Sequence, residues 1–419
     1  MAETKLGYGK EQISWSFDEA RFAVLARKET DARPLSDVEI NAALDAPIDS
    51  DALENIVNPA ETVLIVVPDA TRQSASGQIV NLLVRRLIAN GTMPFDIRII
   101  FATGIHRAVI DAEKRELLTP FIFQRIKTLD HYSRDLVQIA NLGTTARGTA
   151  VELNRALVEH DNVILVGGVT FHYFAGFTGG RKLLCPGLAS SRTVNQTHKL
   201  AFDFAQMRRR AGAEAGKLDG NPVHEEFVEI AEKINPAFAI DTIVDEEGNA
   251  VKIFAGNWRT AHAAACEFYL RERSIQIAEK RDVVVVSCGG APLDLNLIQA
   301  HKALEMAARA CKDGGTIIWL AECPDGLGRT DFLNWFAAEN SQKLAEQLQT
   351  KFQVNGQTAW SLLEKTERFR IFLISNLPEA ETRQMRLHPA RDLGEALAQI
   401  DKNASGYLMP FGAKFLPVF

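Results

Sequence analysis

Thr62-Val63-Leu64-Ile65-Val66-Val67-Pro68-Asp69-Ala70-Thr71-Arg72 is the stretch on which the fold turns. Residues 62–67 are β-branched or aliphatic with no polar alternation, the pattern of a strand buried on both faces. The run breaks at Pro68-Asp69, and residues 78–89 then carry an amphipathic helical pattern that ends at Asn90-Gly91. Residues 95–101 repeat the theme, leading into Thr103-Gly104 and a charged helix around 111–118, and the run 162–166 ends in Gly167-Gly168. Strand, polar turn and helix in alternation predict an α/β domain with a mostly parallel sheet.

The pattern restarts after a long helical stretch at 260–278. Residues 282–287 form a β-branched run ended by Cys288-Gly289-Gly290, 297–312 have helical periodicity, and 316–320 and 369–374 supply further strands. The expected organisation is therefore two α/β domains, each a mostly parallel sheet flanked by helices, with the active site in the cleft between them. Residues 1–275 are assigned to the first domain and 280–400 to the second. The tail 401–419 is expected to pack on the body, since its last ten residues hold three phenylalanines and two prolines.

A chain of 419 residues has room for two such domains. With 47 basic and 53 acidic residues it carries a net charge of −6, without the basic excess of a nucleic-acid binder. Its five cysteines form no C-x-x-C pair, which speaks against a zinc knuckle or a disulfide framework and for a reducing, cytoplasmic setting. Residues 1–10 are polar and charged, so no signal peptide is expected. Residues 162–180 lack charge, yet their five glycines suit a buried strand entering a glycine-rich loop better than a membrane span.

Ligands of open α/β sheets bind at the carboxyl ends of strands, and the unusual polar clusters fall there. Asp69, Thr71 and Arg72 follow the first strand. They suit a ribose, a phosphate or a carboxylate, the last two through the planar guanidinium fork, although a helix-capping turn with a surface arginine fits equally. His106 follows the next strand in Thr103-Gly104-Ile105-His106-Arg107, as a proton carrier or as a structural histidine. The richest segment runs from Gly167 through His172, Arg181-Lys182 and Cys185-Pro186-Gly187 to His198. Its glycines permit close backbone approach, and Arg181-Lys182 would place positive charge among exposed amides. Lys182 has no following Ser or Thr, which disfavours a P-loop, and His172 and His198 lie too far apart for a short zinc motif. A phosphate-bearing small molecule, histidines for metal or proton work and a buried lysine are what these residues indicate. Gln299 and Lys302, at i and i+3, share one helix face and could hold an anionic substrate, or simply face solvent. His131, His160, His224, His262, His301 and His388 show no distinctive spacing.

The ordered set Asp69-x-Thr71-Arg72, Gly104-x-His106-Arg107, His172/Lys182/His198 and Gln299-x-x-Lys302, with Gly7-Tyr8-Gly9-Lys10 near the start, resembles the lactate racemase family, whose members use a nickel-pincer nucleotide. The resemblance implies His106 and His172 as paired acid/base catalysts and His198 as a nickel ligand. Lys182 would bind the cofactor, with covalent attachment left open. Asp69, Thr71, Arg72, Pro186 and Gly187 would help seat the nucleotide, and Arg72, Gln299 and Lys302 would hold the substrate. It further implies a small anionic 2-hydroxy acid as substrate, cofactor-biosynthesis enzymes as partners, and no membrane or nucleic acid. The Cα–H of a 2-hydroxy acid is very weakly acidic because its carbanion would adjoin a carboxylate. Hydride removal to a planar 2-keto acid is the accessible route, and it needs an electrophile that no side chain supplies. Three alternatives stand beside this one: a racemase of a larger 2-hydroxy acid, a non-catalytic carrier of the nickel nucleotide, and a zinc-dependent hydrolase using His106, His172 and His198.

Overall fold

The computed structural model describes residues 1–26 and 33–419. The chain divides into a central unit, Glu29–Ala201 with Arg210–Arg271, and a terminal unit, Met1–Lys28, Phe202–Arg209 and Glu272–Phe419.

The central unit is built on a six-stranded sheet. Its order is Ala250–Gly256, Phe238–Val244, Asn162–Gly168, Val63–Pro68, Ile97–Ala102, Lys127–Asp130, parallel throughout except for the first edge strand. Every residue of Val63–Pro68 is buried, as its unbroken apolar run requires of a strand covered on both faces. The helix Ser76–Ala89 turns Ile79, Val80, Leu83 and Leu87 into the core. It stops at Asn90 because Gly91, at φ +100°, lets its own amide reach the Ile88 carbonyl and that of Thr92 the Leu87 carbonyl, both at 3.0 Å. The helix at Asp111 is broken at Thr119 (φ +68°), since Pro120 forbids helical geometry to the residue before it. The strand expected at 95–101 begins only at Ile97, because Pro94–Asp96 forms a 3-10 turn. The uncharged stretch 162–180 is a buried strand, a two-residue-per-arm hairpin (Phe171–His172 with Gly176–Phe177) and the start of a 3-10 turn. Among the described residues no helix is long and apolar enough to cross a membrane.

The terminal unit holds an all-parallel sheet in the order His388–Pro389, Arg370–Ile374, Cys311–Leu320, Arg281–Ser287, Gly406–Met409, Phe22–Val24. Residues 406–409 are thus an interior strand, and Leu416–Val418 pairs with Ser274–Gln276, so the tail is core rather than an appendage. The N-terminal hairpin Ala2–Tyr8/Glu11–Phe17 also clusters here, where the sequence had placed residues 1–275 in the first domain. Leu6, Phe17 and Phe22 pack with Val283, Val285, Ile318 and Leu408. Phe202–Arg209 joins them: Phe202 meets the Trp360 ring edge-on, and Arg209 forms a two-pronged pair with buried Glu305 at 2.9 and 3.1 Å.

Four histidines outside the assigned catalytic and metal-binding set are buried or half-buried, with an acid-stability consequence. Burial first, and then neighbouring cations where present, pushes His131 down to about 4 and His224 and His301 to about 3, and holds His262 well below the usual range. The native chain keeps these rings neutral, while the unfolded chain protonates them below about 6.5. Their contribution is therefore complete above pH 6.5 and is lost as pH falls toward their folded values. Cofactor-free protein is expected to melt progressively lower between pH 6.5 and 4, with on the order of one proton taken up per histidine on unfolding. A melting temperature flat across that range would contradict this.

Candidate functional site

In the central sheet the chain runs from Val63–Pro68 outward to one side, then returns to place Asn162–Gly168 against its other side. The order therefore reverses between these two strands, and their carboxyl ends frame the crevice where ligands of such sheets bind. Asp69 and the glycine-rich segment leave from those two ends.

Asp69 is 6% exposed and its carboxylate is fully engaged on both oxygens. Oδ1 accepts the Thr71 amide at 3.0 Å and the Thr71 hydroxyl at 2.6 Å, while Oδ2 lies 2.7 Å from His106 Nδ1. Burial pushes the Asp69 carboxyl up. The hydrogen bond and charge of His106, the Arg72 cation and the Thr71 hydroxyl outweigh burial and hold it well below the usual carboxylate range. An ionised Asp69 requires the proton on Nδ1 of His106, so a neutral ring keeps an accepting lone pair on Nε2. A carboxylate that orients a histidine in this way prepares a general base. Asp69 and Thr71, expected among the residues that seat a nucleotide, are thus occupied with each other and with His106. Arg72 lies in the same turn, its Nη1 donating to the Thr71 carbonyl at 3.2 Å.

His106 is placed by a turn that favours glycine. Gly104 has φ +57°, and a Cβ there would come within 3.2 Å of the Pro186 carbonyl oxygen. The Gly104 amide donates to the Gly187 carbonyl at 2.8 Å, and the Gly187 amide donates to the Lys182 carbonyl at 3.0 Å. Pro186 and Gly187 therefore join the His106 turn to the Lys182 turn through backbone.

His172, His198 and Lys182 are assembled around two phenylalanines. Phe174 presents edge-to-face contacts to the His172 ring at 4.5 Å and the His198 ring at 5.1 Å. Lys182 Nζ lies 5.9 Å from the Phe174 centroid and 5.7 Å from that of Phe227, which is 6.1 Å from His198. His172 Nδ1 accepts the Ala175 amide at 3.3 Å and its ring stacks on Tyr173. His198 sits in the last turn of the helix Ser191–Lys199, capped by Ser190. Burial and then the Lys182 charge push it down to about 3, leaving a neutral imidazole of the kind that ligates transition metals. Burial pushes the neighbouring Cys185 thiol up to about 12, so it is no thiolate ligand. Among the described residues no group of three His, Cys, Asp or Glu side chains could hold a metal ion, so His106, His172 and His198 do not form a three-ligand zinc site.

Arg181 departs from expectation. The sequence suggested a charge among exposed amides, whereas Arg181 is 1% exposed and bonded inside the unit. Sequence reasoning also passed over its partners, His262 and Asp241, and the aromatic wall of Phe174 and Phe227. Their only advance signal was an apolar or polar residue of ordinary spacing.

The terminal unit brings Gln299 and Lys302 together on the helix Leu297–Ala310, where Lys302 Nζ donates to Gln299 Oε1 at 2.6 Å. The helix begins at Asn296, whose side chain accepts the Gln299 amide at 3.0 Å. Gly7-Tyr8-Gly9-Lys10 forms the tip of the N-terminal hairpin against the loop before this helix. Gly9 donates to buried Asp294 at 2.8 Å and accepts from Ala291 at 2.7 Å, and a Cβ on Gly7 would collide with Gly289.

This is the arrangement of a two-unit α/β enzyme with a carboxylate-oriented histidine at a topological switch point. Residues 8–209 match the lactate racemase N-terminal domain and residues 276–407 the lactate racemase C-terminal domain. The lactate racemase of Lactiplantibacillus plantarum is 32% identical over 346 residues, 82% of this chain and 80% of that protein. The lactate racemase of Thermoanaerobacterium thermosaccharolyticum is 29% identical over 409 residues, 95% of this chain and 94% of that protein. The structure of the lactate racemase apoprotein from the same organism matches at a TM-score of 0.91 and 27% identity over 100% of both chains. A Thermotoga maritima protein of known structure shares the fold, at a TM-score of 0.72 and 20% identity over 92% of this chain and 98% of that one. The chain belongs to the lactate racemase family.

Proposed function

We propose that this protein interconverts the enantiomers of a small 2-hydroxy acid, lactate foremost, with a nickel-pincer nucleotide as cofactor delivered by its biosynthetic enzymes. Beyond family membership, the observation that carries this reading is the Asp69–His106 pair at the sheet's switch point, with His172 in the same unit. The residues present suit such a cofactor. A metal that arrives within an organic frame needs few protein ligands, and buried, neutral His198 beside Lys182 is one ligand together with a cation or nucleophile for the frame. When bound, the group supplies the hydride-accepting electrophile that no side chain offers.

The chain's own residues divide the remaining work. His106 takes the hydroxyl proton at Nε2, its imidazolium stabilised by Asp69. His172 serves the opposite enantiomer, whose hydroxyl points elsewhere relative to a fixed acceptor. Arg72, Gln299 and Lys302 pair with the substrate carboxylate and oxygens, the guanidinium by its two-pronged fork.

Protein co-produced with the cofactor-biosynthesis enzymes, incubated with single enantiomers of 2-hydroxy acids in heavy water, tests the reading. Racemised lactate without deuterium at Cα is the expected result. Deuterium at Cα would mean proton abstraction and overturn the hydride route. Bound nickel without turnover of any 2-hydroxy acid would make the protein a carrier instead.

A further inference from the structure

His131 follows the strand Lys127–Asp130 at its carboxyl end, is 1% exposed, and has no part in the chemistry proposed above. A buried polar ring costs stability unless its nitrogens find partners, and here both do. Asn154 accepts the Ala156 amide on its side-chain oxygen at 3.0 Å, which leaves its NH₂ group to face His131 Nδ1 at 3.1 Å. Nδ1 therefore holds the lone pair, and Nε2 carries the proton and donates it to the Ala189 carbonyl at 3.1 Å. The neutral ring satisfies both bonds, in keeping with burial, which pushes its pKa down to about 4.

The backbone of the same residue reaches a second element. Its carbonyl accepts the Thr103 hydroxyl at 3.1 Å, and the Thr103 carbonyl accepts the His106 amide at 2.9 Å. Gly104, next in that turn, donates to the Gly187 carbonyl, and the Gly187 amide donates to the Lys182 carbonyl. The bonds close a circuit. It runs from the His131 ring to Ala189, back along the chain to Gly187, across to Gly104 and Thr103, and through the Thr103 hydroxyl to His131 again. We propose that His131 is a positioning residue for the racemase reaction, the clasp that holds the His106 turn against the turn carrying Lys182. A general base and a cofactor anchor on separate turns need such a tie, because a displacement of about 1 Å between reacting groups can cost about 100-fold in rate. This rests on the reading of His106 as an acid/base group.

Two substitutions at 131 separate the bonds of the ring. His131→Asn keeps an acceptor near the Nδ1 position but is too short to reach Ala189, whereas His131→Gln places an N–H near the Nε2 position. Thr103→Val removes the hydroxyl on the other side of the circuit, and serves if His131→Asn does not fold. Cofactor-free protein is read by hydrogen exchange of the Gly104 amide, and cofactor-loaded protein by racemisation of lactate. In His131→Asn and in Thr103→Val, Gly104 exchange is expected to rise by on the order of tenfold, as the circuit opens locally. Both are expected to lower kcat by about 10–100-fold and to change KM for lactate less than about twofold. His131→Gln is expected to recover most of both readouts. The double variant Thr103→Val/His131→Asn is expected to lose little more than either single one, since one broken bond already opens the circuit. A folded His131→Asn or Thr103→Val with wild-type Gly104 exchange, or with faster exchange but wild-type kcat, overturns the proposal, as do losses that add in the double variant. If His106→Ala retains full activity, the acid/base reading of His106 fails, while Gly104 exchange still reports whether His131 holds the two turns.

Discussion

Asp69→Asn is expected to reduce kcat of the cofactor-loaded enzyme by on the order of 10⁴-fold while leaving the fold intact. The size follows from which atoms the amide must offer. Two donors of Thr71, its amide and its hydroxyl, converge on Oδ1. The carbonyl of an asparagine at 69 has to face them, which turns its NH₂ group toward His106 Nδ1, where Oδ2 now lies at 2.7 Å. His106 then has to present a lone pair at Nδ1, and its proton moves to Nε2, the atom that should accept the substrate's hydroxyl proton. The volume is unchanged and the Thr71 bonds survive, so melting temperature is expected to move little. Lactate racemisation, melting and the His106 tautomer measured side by side would check this. A loss of less than about tenfold with the expected tautomer change would remove His106 from the proton-transfer step.

The second large effect concerns His198. His198→Ala is expected to weaken nickel retention by more than ~100-fold, beyond what loss of an outer-shell partner costs. His106→Ala and His172→Ala are expected to retain the metal while losing racemisation. The basis is the difference in setting: His198 is a buried neutral imidazole beside Lys182, whereas His106 is turned to Asp69 and its side chain is 42% exposed. Lys182→Ala is expected to lose any covalent cofactor mass. Metal analysis and intact-protein mass spectrometry after desalting give the result directly. Unchanged nickel in His198→Ala would take it out of the coordination sphere, and nickel loss in His106→Ala would make that residue a ligand.

Much of this was readable along the chain because the information was local. An unbroken β-branched run followed by a polar turn marks a doubly covered strand and its carboxyl end, and that is where Asp69, His106 and the glycine-rich segment lie. The i, i+3 spacing of Gln299 and Lys302 likewise brought their side chains into contact. Element limits were less legible at Pro94 and Thr119, where proline chemistry overrode the apolar pattern.

Assembly settled the rest, for one physical reason: a sheet recruits strands by available edge and apolar face, not by distance along the chain. Phe22–Val24 pairs with Gly406–Met409, and Phe202–Arg209 leaves the central unit for the terminal one, so a division near residue 280 does not describe the compact units. Arg181 looked like an exposed phosphate ligand beside Lys182 because composition cannot tell which neighbour of a glycine turn points inward. Its partners Asp241 and His262 come from other elements, on a neighbouring strand and on a helix beyond it. Residue types at strand ends marked the candidate positions and left their chemistry open, whereas which nitrogen of each histidine faces a donor or a carboxylate depended on partners that only folding brings within 3.3 Å.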